Sequence, residues 1–332
     1  MKKTLLILIV LIPLFFLAGA GYIYHLAITP NSTQSNDVSV RINPGQSFKS
    51  TADQLQAKGL ISSRDVFYYL GRTTGQAREV KAGHFQMNTS WNMLETLEHL
   101  TRGQEALYRL QIPEGLAWWQ IGRILESQEL ADFEEFRELV HDQEFLRQHS
   151  VYGPTAEGFL FPETYYLSPT RDMGAKRLIS ILINQFWSST RDLWGDMEFE
   201  EVYEAVNLAS LIEKETGISS ERRIISGVFH NRMEKRMLLQ CDPTIIYGLG
   251  EDFEGRIRRS QLDDSSNPYN TYRHRGYPPT PICSPGLASI RAALEPEKHN
   301  YLYFVSKNDG SHHFSKTLLE HNRAVNRYQR NR

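Results

Sequence analysis

A chain of 332 residues is long enough for two domains, at roughly 100 to 200 residues each. With 40% hydrophobic and 23% charged residues its composition is that of a globular protein, which excludes a disordered one. The formal net charge of -2 carries no basic excess, so a nucleic-acid partner is excluded and neutral or weakly charged polymers remain.

The N-terminus differs in kind from the rest. After Lys2 and Lys3, Leu5 to Tyr24 is an uncharged and mostly apolar run, close to the ~20 residues a helix needs to cross a bilayer. The positive-inside rule places the lysines in the cytoplasm and the remainder of the chain outside. A cleaved signal peptide is the competing reading, since Ala18 to Ala20 resembles a small-residue cleavage site. The length of the run favours an uncleaved anchor, and both readings export the body. No Cys lies near Ala18, so a lipid-modified N-terminus is not expected.

The expected organisation is a stub and transmembrane anchor over 1–28, a linker over 29–37, a small domain over 38–104 and a larger one over 105–332. In the small domain, Val38 to Ile42 alternates as a strand, and the segment from Pro44 reads as a turn and then a helix that stops at Gly59. A second helix from Ser63, a strand through His84 and Phe85, and a helix capped by Ser90 and ending at Gly103 follow. This mixed order predicts an α+β module. It serves either as a spacer or as a polymer-binding unit.

In the larger domain, a strand from Leu107 leads into a Pro-Gly turn, and two amphipathic helices follow, "LAWWQIGRILESQ" and "DFEEFRELVHDQEFLRQ". "EGFLFPETYYLSP" reads as a loop, and helical pattern returns from Gly174 to Trp194 and again from Asn207 to Met233. The remainder reads as loop-rich, and loops of that length usually carry function.

The segment "LIEKETG" places Glu213 and Glu215 on a helix. Glu215 follows Ile212, Leu211 and Leu208 by three, four and seven residues and so shares the edge of an apolar face. Glu213 is about 200° away around the helix, so the two do not act as a dyad on one atom. Glu215 is therefore the candidate for a desolvated carboxyl that stays protonated and donates a proton. Glu213 reads as structural.

The runs "LASLIEKETG", "SERRIISGVFHNRM", "QCDPTIIYGLG", "NPYNTYRHRGYPPTPICSPG" and "GSHHFSKTLLEHNRAV" resemble, in this order, the YceG-like (MltG) family of endolytic murein transglycosylases. The likeness runs from Ala205 to about Tyr328, and upstream "PEG", "KAGHF" and "EGFLFPETY" extend it. The resemblance implies a fold of transmembrane helix, small LysM-like α+β domain and larger mixed α/β catalytic domain, α+β overall. It implies cleavage within peptidoglycan glycan strands to leave 1,6-anhydro ends, with Glu215 as the catalytic residue and no cofactor. Gln240, Asp242, Thr244, Tyr269, Asn270 and Tyr272 match family motifs as substrate-binding candidates, as do Glu157 and Glu163. Turn and capping chemistry is the alternative use of these side chains. Phe159, Phe161, Tyr165 and Tyr247 are candidates for stacking on sugars, with core packing as the commoner fate.

His312, His313 and His321 fit no zinc spacing, so no metal is expected, and His313 reads as a structural or cleft hydrogen-bonder. Cys241 and Cys283 are the two cysteines, with pairing left open. The expected location is the inner membrane, single-pass, with the body on the periplasmic side. An anchored body meets newly made strands, so peptidoglycan synthases are expected partners. A hydrolase using Asp242 or Glu157 as second carboxylate is the first alternative, and a non-catalytic glycan-binding scaffold the second.

Overall fold

The computed structural model describes residues 19–43, 45–103, 107–168 and 173–330. Most of the apolar run Leu5 to Tyr24 lies outside these. A helix α1 covers 19–28, and no helix among the described residues is long and apolar enough to cross a membrane. The chain divides into two compact units, one reaching to Leu110 with Tyr166–Asp172 added, the other holding Gln111–Tyr165 and Met173–Arg332.

In the first unit, β1 (Asp37–Ile42) is followed by α2 (Phe48–Ala57), α3 (Arg64–Thr73), β2 (Gly83–Asn88) and α4 (Met93–Arg102). The strands pair antiparallel with Val40 opposite Phe85 and Ile42 opposite Gly83. Alternation sends Val40, Ile42, Phe85 and Met87 to one face, where they meet Leu55, Phe67, Leu97 and Leu100 in a core. The cap of α4 is Asn92 and not Ser90: the Asn92 side chain accepts the N–H groups of Leu94 and Glu95, and Glu95 reaches back to the Asn92 N–H. That capping box satisfies several end groups at once, whereas the Ser90 hydroxyl is spent on Asn88.

The strands β3 (Tyr108–Gln111) and β4 (Thr164–Leu167) each fall across a point of division between the units, and the second unit holds α5 (Trp118–Ser127), α6 (Phe133–His141), α7 (Gln143–Gln148), α8 (Ala175–Trp194), α9 (Phe199–Glu215) and α10 (Ser219–Glu234). The single helix expected after Asp132 is two, because Asp142 is extended and caps α7 with its side chain. The expected loop "EGFLFPETYYLSP" contains β4, which pairs with β3. Phe159, Phe161 and Tyr165 from this segment are buried, the first two against Phe186 of α8, so they are core side chains and not sugar platforms.

The part read as loop-rich carries α11 (Asp242–Leu249), α12 (Arg259–Asp263), α13 (Leu287–Leu294), the antiparallel hairpin β5 (Tyr303–Ser306) with β6 (His312–Ser315), and α14 (Leu318–Val325). These elements are too short for a periodicity argument to separate them from irregular chain. Helix α9 is the hub. It packs most extensively on α13 and also touches α10 and α11, with Val206, Ala209, Leu211 and Ile212 all buried. Over residues 205–212 it is buried on every side, whereas Glu200, Glu201 and Glu204 in its N-terminal half are exposed. Its polar side chains bind the loop before α13: Asn207 Nδ2 donates to the Pro278 carbonyl at 2.8 Å, and Ser210 Oγ accepts the Ile282 N–H at 3.0 Å. Gly158, at φ +87°, passes so close to α9 that a Cβ there would lie 2.7 Å from Val206.

Candidate active site

The end of α9 presents "EKE" to three different surroundings. Glu213, its side chain 7% exposed, accepts the Gly286 N–H at 3.0 Å and lies 3.5 Å from Arg222 of α10. Lys214 Nζ donates to the Gly115 carbonyl at 3.0 Å. Glu215 faces a cleft of about 420 Å³, also lined by Arg232, Gln240, Asp242, Tyr272, His312 and His321. Such a volume lies within the range of small-molecule sites, about 300–1,000 Å³.

Glu215 keeps partial exposure on the cleft, yet burial of its carboxyl is the main influence and raises its pKa above the ordinary carboxylate range. The hydrogen bond with the Cys241 thiol opposes that rise, Asp242 adds to it, and His312 and Arg232 oppose it more weakly. Arg232 is itself buried and fixed by three main-chain carbonyls: Nε donates to Leu302 at 2.6 Å, and Nη1 to Leu238 and Leu239 at 3.2 and 2.7 Å. Gln240 sits at φ +54° and Asp242 opens α11, and the Tyr272 hydroxyl donates to Asp242 Oδ1 at 2.6 Å. Those contacts gather a protonatable carboxyl, a second carboxylate, a fixed cation and two imidazoles around one opening.

The other sequence candidates lie elsewhere. Thr244 and Asn270 are fully buried: Thr244 Oγ1 donates to the Cys241 carbonyl, and Asn270 Nδ2 serves the carbonyls of Gln261, Leu262 and Asp264. Both shape the cleft loops without lining the opening. Glu157 is fully buried away from the cleft, with its carboxylate accepting the N–H groups of Trp118 and Gly158 and bonded to Tyr247. Its pKa is pushed up to about 7, chiefly by burial. The Tyr269 hydroxyl meets Thr280 at 3.0 Å, its ring 4.9 Å from Tyr247. Glu163 is exposed and bonds the Thr164 N–H. Among the histidines His312 and His321 line the cleft, whereas His313 lies against Tyr328. No cluster of three or more metal-ligating side chains occurs among the described residues. Cys241 and Cys283 are both buried free thiols.

Sequence reasoning passed over Arg232 and Tyr303, which line the cleft, and Glu221, which is bonded to the cleft residue His312. Arg232 and Glu221 had a signal, being charged residues on the inward side of a predicted helix, but the partner of Glu221 and one of the three carbonyls on Arg232 come from distant segments.

The YceG-like family model matches residues 40–327. The chain belongs to the YceG-like family. An endolytic murein transglycosylase of Bacillus subtilis (strain 168) is 30% identical over 329 residues, covering 93% of this chain and 90% of that protein. One of Streptococcus pneumoniae serotype 2 is 26% identical, covering 92% of this chain but 61% of its own length. The crystal structure of a YceG-like protein from Listeria monocytogenes superposes with a TM-score of 0.60 at 30% identity, over 86% of this chain and 98% of that one. The YceG-like match therefore takes in both compact units, and the cleft around Glu215 lies within it.

Proposed function

We propose that the protein is a peptidoglycan lytic transglycosylase that cuts within glycan strands, with Glu215 as its acid and then its base. The observation that carries the reading is the Glu215 carboxyl, raised in pKa by burial and opening on a sugar-sized cleft beside a fixed cation, Arg232. The named activity of the Bacillus subtilis and Streptococcus pneumoniae relatives supports it.

One carboxyl suffices for this chemistry. Protonated Glu215 gives its proton to the glycosidic oxygen between muramic acid and glucosamine, and the bond from the muramic C1 to that oxygen breaks. The C6 hydroxyl of the same muramic residue closes on C1, and its proton passes to the Glu215 carboxylate. The product is a 1,6-anhydro end; no water is consumed and the enzyme regains its starting protonation. Each proton transfer is worth roughly 10²- to 10⁴-fold. The negative charge of Asp242, one of whose oxygens accepts from Tyr272, stabilises the oxocarbenium-like transition state in this reading.

A hydrolase in which Asp242 activates water is the second reading, favoured by that carboxylate's presence in the cleft. Glu157 is a poor second carboxylate because its oxygens are already engaged by main-chain N–H groups. Mass spectrometry of glycan strands digested by the full chain separates the two: anhydro ends, absent with Glu215→Gln, support the transglycosylase, and reducing ends the hydrolase.

The apolar N-terminal run supports a single-pass anchor in the inner membrane with the enzyme on its outer side. The strand–helix–helix–strand order of the first unit supports a LysM-like glycan-positioning role. Peptidoglycan synthases are the partners such an anchored enzyme would meet, and a pull-down without synthase enrichment counts against that part.

A further inference from the structure

In the same cleft as Glu215, on β6, His312 is held by a clamp of several contacts. Its Nδ1 stands 2.7 Å from Oε2 of Glu221, and its backbone N–H donates to Oε1 of the same carboxylate at 2.9 Å. Glu221 sits in the first turn of α10 and is 8% exposed, so this carboxylate has both oxygens committed to one residue. Phe304 stands edge-on to the imidazole at 5.5 Å. Ring position and ring rotation are thereby both set.

A carboxylate only accepts, so Nδ1 carries the hydrogen, and in the neutral ring Nε2 keeps its lone pair. Glu221 does not line the cleft and His312 does, which leaves the Nε2 edge toward the opening. Nε2 has no hydrogen-bond partner among the described residues. A buried carboxylate spent on orienting an imidazole whose far edge is unpartnered is the arrangement of a working side chain. Packing alone would have been served by an apolar residue.

We propose that His312 is a second substrate-contacting residue of the cleft, its Nε2 accepting a hydrogen bond from a hydroxyl or acetamido N–H of the glycan, and that Glu221 is its positioning residue. The proposal rests on the glycan reading of the site and adds to it the residue that orients the sugar beside Glu215. No proton is transferred to His312 in the cycle; the proton from the C6 hydroxyl still returns to Glu215.

The test is made in full-length Glu215→Gln protein, which holds glycan without cutting it. Calorimetry measures its affinity for a tetrasaccharide of alternating N-acetylglucosamine and N-acetylmuramic acid. His312→Asn is the decisive addition, because its amide still donates to Glu221 from the Nδ1 position but has nothing at Nε2. An affinity at least about 10-fold weaker, with an unchanged melting temperature, is expected, matching the loss of one hydrogen bond. His312→Gln, which carries an amide as far out as Nε2, recovers part of it. In the active protein Glu221→Gln raises KM more than it lowers kcat. Equal tetrasaccharide affinity in the His312→Asn and parent proteins overturns the proposal, as does a loss that only tracks a lowered melting temperature in both His312 variants. Reducing instead of anhydro ends from the wild-type chain would refute the transglycosylase reading while leaving the His312 affinity result to stand by itself.

Discussion

Glu213 accepts the backbone N–H of Gly286 at 3.0 Å, and so ties the end of α9 to the start of α13. Arg222, 3.5 Å away, neutralises it and is held in turn by Ser289 Oγ at 3.1 Å. Glu213→Ala leaves a buried guanidinium and a helix-start N–H without their partner. Stability is expected to fall by about 3 kcal/mol in denaturant titration, with Glu213→Gln losing about half as much. Activity per folded molecule is expected to change far less than for any change at Glu215.

Glu215→Gln removes the proton donor while preserving shape. Release of anhydro ends is expected to drop by roughly 10²- to 10⁴-fold with the fold retained, as read by mass spectrometry beside a thermal melt. Because burial raises this carboxyl's pKa, the donor form persists to higher pH than in a free glutamate. On the basic side, kcat/KM is expected to fall as pH rises through that raised value, and the residual activity of the Gln variant to lack the fall.

Tyr272→Phe deletes the 2.6 Å hydrogen bond to Asp242 and nothing else of the ring. A hydrogen bond to a charged group contributes about 1.5–3 kcal/mol, so kcat is expected to drop roughly 10- to 100-fold if Asp242 faces the developing positive charge. Steady-state kinetics on purified strands measures it, and an unchanged kcat would remove Asp242 from the mechanism.

Glu157 makes the fold sensitive to pH away from the cleft. Its folded-state pKa, about 7, lies above the unfolded value, so the native state holds the proton more tightly. Its contribution is fully present below the unfolded pKa and is lost as pH rises through about 7, up to about 3 kcal/mol. Denaturant titrations at pH 5 and pH 8 are expected to show a smaller loss in Glu157→Gln than in the wild type.

The sequence alone determined the larger outline: the strand, helix and strand of the small unit, the long helices α8, α9 and α10, and Glu215 as the glutamate of interest. Those features are local, carried by alternation, by 3.6-residue periodicity and by a resemblance spread over separated motifs. Gln240, Asp242 and Tyr272 were legible as motif residues, and the tertiary structure brought them to the Glu215 cleft. It also sent Thr244 and Asn270 into the loop supports and Glu157 into a buried carboxyl site, which no spacing rule distinguishes. Glu221 and His312 acquired their roles through a contact between residues 91 positions apart, and Arg232 through one to Leu302, 70 positions on, added to those it makes with Leu238 and Leu239. Hydrogen-bond partners for a buried charge are chosen by packing and not by neighbours in sequence. Which edge of an imidazole is held and which is left open was therefore decided only when β6 came to lie against α10.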